Sequence, residues 1–286
     1  MPRLVIGTAQ WGLDYGVTNQ AGQLSDSAIE QLLAGMNEFQ IHDLDTAAAY
    51  GNAESRIAKF APPNIRIHTK VSGKDPGNTA IIQRINESLN ALERDSLDGV
   101  LIHDWYALAA EERESAVLQL EQAQADSLTQ KIGISIYALE ELTPANQLFN
   151  GTFTAQIPIN IVDQRFLTAH ESFPSIEFQA RSIFLQGLLL QRTGEFQEHA
   201  DLLQVEQFSQ DNGLSPLDTN LIFISQQEWL DSVILAPTSI TELQELCQAW
   251  DNSRSNPLSL DFDQLKSRDT RLIDPRTWTR VPGVSR

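Results

Sequence analysis

The chain has 286 residues, 41% hydrophobic and 20% charged, which is ample apolar mass for one large domain or two small ones. Its 38 Asp and Glu against 20 Lys and Arg give a formal charge of −18, a sign that repels both a phosphate backbone and an anionic membrane surface. Neither nucleic acid nor membrane is therefore expected as a partner. The single cysteine, Cys247, excludes an internal disulfide framework and a cysteine-rich zinc site, and no metal is expected. The opening MPRLVIGTAQ lacks the basic and long apolar segments of a signal peptide. Ile183–Leu190 and similar apolar stretches are too short to cross a bilayer, so the cytoplasm is the expected compartment.

Short apolar runs alternate with amphipathic stretches along the whole chain. Strands are expected at Leu4–Thr8, Ile41–Asp45, Ile65–Val71, Leu97–His103, Lys131–Ser135, Ala155–Ile159, Ile176–Ser182 and Ser232–Leu235. Helices are expected at Asp26–Phe39, Asn52–Phe60, Thr79–Glu93, Glu111–Thr129, Leu139–Leu148, Asp163–Ala169 and Ile240–Trp250, and Asn220–Glu228 reads as the late part of another. Ile29, Leu32, Leu33 and Met36 set the spacing of the first helix, and Ser25 or Asp26 can cap it. Ser215-Pro216 is a suitable first turn for the helix before the last strand. The segment Asp251–Pro257 reads as a polar loop. The tail beyond Leu265 carries Lys266, Arg268, Arg271, Arg276, Arg280 and Arg286, an unusual basic share in so acidic a chain.

Eight strands, each followed by a helical pattern, mean a parallel sheet, and in this length a single (β/α)₈ barrel. No G-x-G-x-x-G follows the first strand and no G-x-x-x-x-G-K-[ST] occurs, so the doubly wound alternative lacks its phosphate fingerprint. Residues 1–286 read as one barrel domain, with 251–286 as its C-terminal loop and tail.

Active sites of such barrels lie at the C-terminal strand ends. There the second strand ends at Asp45, with Tyr50 just beyond, the third at Lys70 and the fourth at His103. A free phenol, with pKa about 10, is a poor proton carrier near neutrality, and a nearby ammonium favours its phenolate. Asp45 would pair with Lys70, Lys70 would lower the pKa of Tyr50, and His103 would orient a substrate oxygen. Strand parity adds that Asp43 and His68 face the interior one layer deeper, where they are expected to bond each other or a buried water.

The stretches that hold these residues resemble the aldo-keto reductase superfamily. Asp45-Thr46-Ala47-Ala48-Ala49-Tyr50-Gly51 with Glu54 resembles its D-T-A-x-x-Y-G-x-x-E signature. His68-Thr69-Lys70-Val71 and Leu101-Ile102-His103 are similar to its T-K-V and L-x-H strands. The resemblance implies an oxidoreductase that interconverts a carbonyl and an alcohol, with NADP(H) or NAD(H) as cofactor. It assigns Tyr50 as general acid/base, supported by Lys70, Asp45 and His103. It further implies a cofactor site of Ser135 and Gln156 at the nicotinamide amide. The loop Ser182, Phe184, Leu185, Gln186, Gly187 and Leu188 would wrap the pyrophosphate through its backbone N–H groups. Ala236, Thr238 and Ser239 would lie at the adenosine end.

Two positions depart from the family pattern. Ile136 stands where asparagine is usual, and Ala236–Glu245 carries no Lys or Arg to clamp a 2′-phosphate. Trp11, Tyr50, His103 and Trp105 or Tyr106, with part of the tail, are expected to line the substrate pocket for a small aldehyde, ketone or sugar. The alternative reading is a regulatory or sensor protein that binds a nicotinamide nucleotide on the same barrel. The residues do not settle the oligomeric state.

Overall fold

Eight parallel strands close on one another in chain order, β8 returning to β1. The computed structural model describes residues 2–74, 80–255 and 258–278. The strands are β1 Arg3–Gly7, β2 Asp43–Asp45, β3 Arg66–Val71, β4 Leu97–Ile102, β5 Thr129–Ser135, β6 Phe153–Pro158, β7 Ile176–Arg181 and β8 Ser232–Leu235. Each lies within two residues of its expected place. The helices are α1 Ala9–Gly12, α2 Asp26–Glu38, α3 Ala53–Phe60, α4 Ile81–Leu92, α5 Ala110–Ala125, α6 Leu142–Leu148, α7 Ala169–Ser172, α8 Ala200–Asp211, α9 Pro216–Ser225, α10 Ile240–Ser255 and α11 Thr270–Ile273. Among the described residues no helix is long and apolar enough to cross a membrane, and no group of three or more His, Cys, Asp or Glu could hold a metal ion.

Parallel strands with helices outside bury both faces, so they read as nearly continuous apolar runs. The outward residues Ile6, Leu44, Ile67, Val100, Ile132, Ile134 and Ala155 meet the buried faces of the helices, such as Ile29, Leu32 and Met36 of α2. Ser25 Oγ accepts from the Ala28 N–H and Ser215 Oγ from the Asp218 N–H, satisfying first-turn donors of α2 and α9.

Four expectations need correction. The helix placed at Asp163–Ala169 is absent: Asn160 Oδ1 accepts from the N–H groups of Val162 and Asp163 and holds a turn, and a short helix starts only at Ala169. The helix introduced by Ser215-Pro216 does start at Pro216, but it ends at Ser225 where its late part was expected to reach Glu228. The polar loop at Asp251–Pro257 is helical through Ser255, because Ser253 turns inward and bonds the Trp250 carbonyl; Asn256 and Pro257 lie outside the described residues. Helix α8 was not expected at all. Thr79, the expected start of α4, and Arg280 and Arg286 of the tail also lie outside the described residues.

The barrel interior is far more polar than a packing argument predicts. Register places Asp45 level with Gly7 and His68, Ser135 level with Gln156, and Gln156 level with Gln179. Residues two apart share a face. Asp43, Asp45, His68, Lys70, Ser135, Gln156 and Gln179 therefore all point inward.

Candidate active site

Asp45 and Lys70 form the buried pole of the barrel mouth. Lys70 Nζ lies 2.6 Å from Asp45 Oδ2 and donates to the Thr46 carbonyl at 2.9 Å. Lys70 is only 1% exposed. The second oxygen of Asp45 accepts from Gln156 Nε2 at 2.8 Å, and the same nitrogen reaches Gln179 Oε1 at 2.6 Å. The carboxylate is thus held from two sides, and one network spans β2, β3, β6 and β7.

Tyr50 arrives on the loop between β2 and α3. Its N–H bonds the Ala47 carbonyl, and its carbonyl accepts from the Ala53 N–H. Next to it, Gly51 has φ +56° and sits against Gly12, where a Cβ on either residue would strike the other's segment. Arg56 of α3 ties this loop down by donating to the Trp11 and Leu24 carbonyls. The Tyr50 ring meets His103 edge-on at 5.8 Å, and Lys70 Nζ stands 5.2 Å from its centroid. The four expected side chains therefore come together from β2, the β2–α3 loop, β3 and the end of β4.

Their electrostatics differ from expectation at Tyr50. Burial, reinforced by the Asp45 charge, pushes the phenol above its ordinary value, and Arg181 only partly opposes this. The Lys70 ammonium is already engaged by Asp45 and the Thr46 carbonyl. Burial also lowers Lys70 itself, against the pull of Asp45. Burial, with Lys70 and Arg181 adding repulsion, lowers His103 to about 4.

One layer deeper, His68 Nε2 lies 3.3 Å from Asp43 Oδ1, the expected pair. Two unforeseen arginines join it. Arg66 grips Asp43 with two bonds of 2.8 and 2.5 Å, and Arg3 approaches to 3.9 Å.

The expected aromatic walls are not walls. Trp11 and Trp105 are both 0% exposed and belong to the core. Each sits in a tight helical turn shortly after its strand, α1 and a 3₁₀ turn over Trp105–Ala107. Tyr15 and Tyr137 are the rings electrostatically coupled to Tyr50. Burial, then the Tyr50 and Tyr137 phenols, push Tyr15 upward. Tyr137 is flanked by Arg181, 4.1 Å from its centroid, and by Arg276 of the tail, at 3.9 Å. Tyr106 meets the Tyr137 ring edge-on at 5.7 Å.

The loop after β7 is preorganised but not an open ring of N–H groups. Ser182, Leu185 and Gln186 have φ of +60°, +49° and +54°. The N–H groups of Leu185, Gly187 and Leu188 bond the carbonyls of Ser182, Phe184 and Leu185, so they are not free for an anion. Gly187 is required by Thr18, whose Oγ1 would collide with a Cβ there and which donates to the Gln186 carbonyl. Leu185 and Leu188 are buried, and Phe184 packs partly buried against the core. Gln186 Oε1 is buried without a donor among the described residues. Asn160, missed from sequence, donates to the Ser182 carbonyl. Ile136, buried, offers only its carbonyl, which Arg181 takes.

After β8 comes Ala236, and the first turn of α10 is closed on itself. Glu242 Oε2 accepts from Thr238 N at 2.7 Å and Thr238 Oγ1 at 2.9 Å, while Glu242 N donates to Ser239 Oγ. A carboxylate of the chain thus stands against donors that sequence offered to a phosphate.

A model of the Aldo/keto reductase family matches residues 3–257. An aldo-keto reductase of Mycobacterium marinum is 33% identical over 150 residues, covering 51% of this chain and 47% of the relative. One of Mycobacterium ulcerans is 31% identical over 150 residues with the same coverage. The match spans about half the length of these curated relatives. Among solved structures, an aldo-keto reductase from Bacillus halodurans in its holo form superposes with TM-score 0.72 at 15% identity, covering 93% of this chain and 92% of that one. A glycerol dehydrogenase from Gluconobacter oxydans superposes at 0.65 and 18%, covering 91% and 94%. At such identities the likeness is one of fold.

Proposed function

Because the chain belongs to the aldo/keto reductase family, a family of NAD(P)-dependent oxidoreductases, we propose that it interconverts a small carbonyl compound and its alcohol, with Tyr50 as the proton carrier. The observation that carries this reading is the sealed Asp45–Lys70 pair beside the Tyr50 and His103 rings. A packing role alone does not account for an ammonium 1% exposed and a phenol over it at the rim where barrel enzymes act. When bound, the nicotinamide supplies the hydride.

The chain's own groups handle the oxygen. Tyr50 is held protonated by burial, so in the reductive direction it is the acid that gives the carbonyl oxygen its proton. The phenolate then forms beside Lys70, whose charge offsets it. Asp45 fixes Lys70 in place, and Gln156 fixes Asp45. His103 is neutral across the physiological range, so it orients the substrate oxygen through a hydrogen bond and does not compete as the acid.

The residues fit a nicotinamide dinucleotide. The unpartnered Gln186 Oε1 is an acceptor that an amide or amine N–H would satisfy. Ser135, Gln156 and Asn160 are further buried polar groups near the same rim. The last loop does not favour a 2′-phosphate: Glu242 already occupies the Thr238 donors, and no cation stands in Ala236–Glu245. We therefore read the cofactor as NAD(H) at least as readily as NADP(H).

The test is fluorescence titration with both reduced dinucleotides, followed by turnover with aldehydes, ketones and sugars, on wild type and Tyr50→Phe. Dinucleotide-dependent turnover abolished in the variant supports the reading. Binding without any turnover would instead favour the sensor.

A further inference from the structure

Arg181 is the last residue of β7. It is level with Pro158 of β6, and Gln179, two residues earlier, faces inward to bond Gln156. Arg181 therefore points into the barrel mouth, one layer above the network that holds Asp45. Its guanidinium is fixed by neutral groups alone. Nη2 donates to the Ile136 carbonyl at 2.8 Å, Nη1 to Ser182 Oγ at 3.2 Å, and the Tyr137 ring lies 4.1 Å away.

By contrast, Arg56, Arg66, Arg165, Arg192 and Arg276 each hold a carboxylate. Arg276 lies 3.9 and 4.4 Å from the Tyr137 and Tyr106 rings and pairs with Asp274 through Nε and Nη2. Among the described residues no carboxylate pairs with Arg181. Arg94, after α4, and Arg113, in α5, likewise hold no carboxylate among the described residues; Arg181 differs from them in standing at the barrel mouth, in a chain of net charge −18. Its field reaches the reacting groups, where it opposes the upward shift of Tyr50 and lowers His103.

We propose that Arg181 recognises a carboxylate on the substrate, so that the preferred carbonyl compound is an acid whose carbonyl sits at Tyr50 and His103 while its carboxylate meets the guanidinium. The proposal rests on the oxidoreductase reading above. Arginine has five N–H donors and two are in use here, which leaves enough for the paired bonds that a carboxylate takes. The other oxyanion source is the dinucleotide's pyrophosphate, which shares this chemistry.

The experiment compares wild type, Arg181→Gln and Arg181→Lys on size-matched aldehydes that differ in charge: para-carboxybenzaldehyde against para-tolualdehyde, and succinic semialdehyde against butanal. Dinucleotide Kd is measured alongside by fluorescence quenching. The expected result is a preference for the acids in wild type that falls at least about tenfold in Arg181→Gln, mainly through KM, the range of a lost charged hydrogen bond. Dinucleotide Kd should stay within about twofold, and Arg181→Lys should recover part of the preference. Equal loss on acid and neutral aldehydes, or a loss of dinucleotide affinity that accounts for it, overturns the proposal and assigns the cation to the cofactor. Turnover of neutral aldehydes without preference for the acids sinks the proposal and leaves the oxidoreductase reading standing. Turnover of none of them sinks the proposal, and failure on the ketones and sugars as well sinks the oxidoreductase reading with it.

Discussion

Strands β2 and β3 carry two acid–base groups stacked two residues apart, and water separates their behaviour. In the lower layer Asp43 is gripped by Arg66, His68 and Arg3, with the Arg66 and Arg3 side chains 43% and 47% exposed. Burial alone would raise the Asp43 carboxyl, but the bonds from Arg66 and His68 outweigh it and hold it well below the carboxylate range. In the upper layer Asp45 meets Lys70 with both side chains sealed. There burial dominates: it lowers Lys70 and raises the phenol beside it. Similar charges on the same strands thus hold a carboxylate in a partly hydrated ion cluster below, and raise a buried phenol above.

The largest expected effect separates the layers at Tyr50. Tyr50→Phe removes the one oxygen that the proposed function makes the proton carrier, and leaves Asp45, Lys70 and Gln156 in place. Turnover should fall by about a hundredfold or more, within the usual contribution of acid–base catalysis. Melting temperature and dinucleotide affinity should stay near wild type. Wild-type turnover in this variant on any good substrate would break the division of roles.

The lower layer should answer in the opposite sense. Asp43→Ala strips the partner from Arg66 and His68, and should cost about 1–3 kcal/mol, between the values of a sealed and an exposed pair. Its kcat should change far less than that of Tyr50→Phe. The Asp43 pKa is depressed in the fold, so the stability it contributes is present above the unfolded value near 3.9 and is lost as pH falls through that range. Chemical denaturation of both proteins should show a stability gap that is constant above about pH 5 and narrows in acid. A gap that grows in acid would contradict the pairing.

Both layers were legible in sequence for one reason: period two carries over from Asp45 to Asp43 and from Lys70 to His68. What parity does not give is a partner's length. Arg66 and Arg3 reach Asp43 because both face inward at the open lower end, and Arg66 lies two residues from His68 on the expected strand. Arg181 was open to the same argument, as the one cation at the mouth end of β7. Tyr137 and Arg276 were not, because the tail's contact with β5's exit is purely tertiary. Trp11 and Trp105 misled because a strand end says nothing about the turn that follows. Helix α8 was hidden by its weak pattern, with Leu203 exposed and Gln204, Glu206 and Gln207 between Leu202, Val205 and Phe208.

A smaller effect is expected at the cofactor's far end. A phosphate clamp of charged hydrogen bonds would give a preference of about tenfold or more for the phosphorylated dinucleotide. With Glu242 on the Thr238 donors, the two dissociation constants should differ by less than that. Glu242→Gln removes the like charge and should tighten NADPH binding relative to NADH. A strong NADPH preference in wild type would mean that a cation from elsewhere reaches this end.

The smallest effect is an absence, and it bears on the upper layer alone. An ordinary histidine titrates near 6.5, so a catalytic imidazole with that value would put a limb in the rate profile at mildly acidic pH. His103 is lowered to about 4, first by burial and then by Lys70 and Arg181, so it stays neutral until well below that region. Tyr50 is raised, so it stays protonated far into alkali. In the reductive direction both groups therefore hold one protonation state between roughly pH 5 and 9, and kcat/KM should be flat there. The acid limb should appear only near the lowered histidine value. Arg181→Gln removes one of the charges that lower His103, so it should move that limb slightly upward. A limb near pH 6.5 in wild type would show that His103 is more hydrated than its neighbours here allow, and that the dry upper layer does not extend to it.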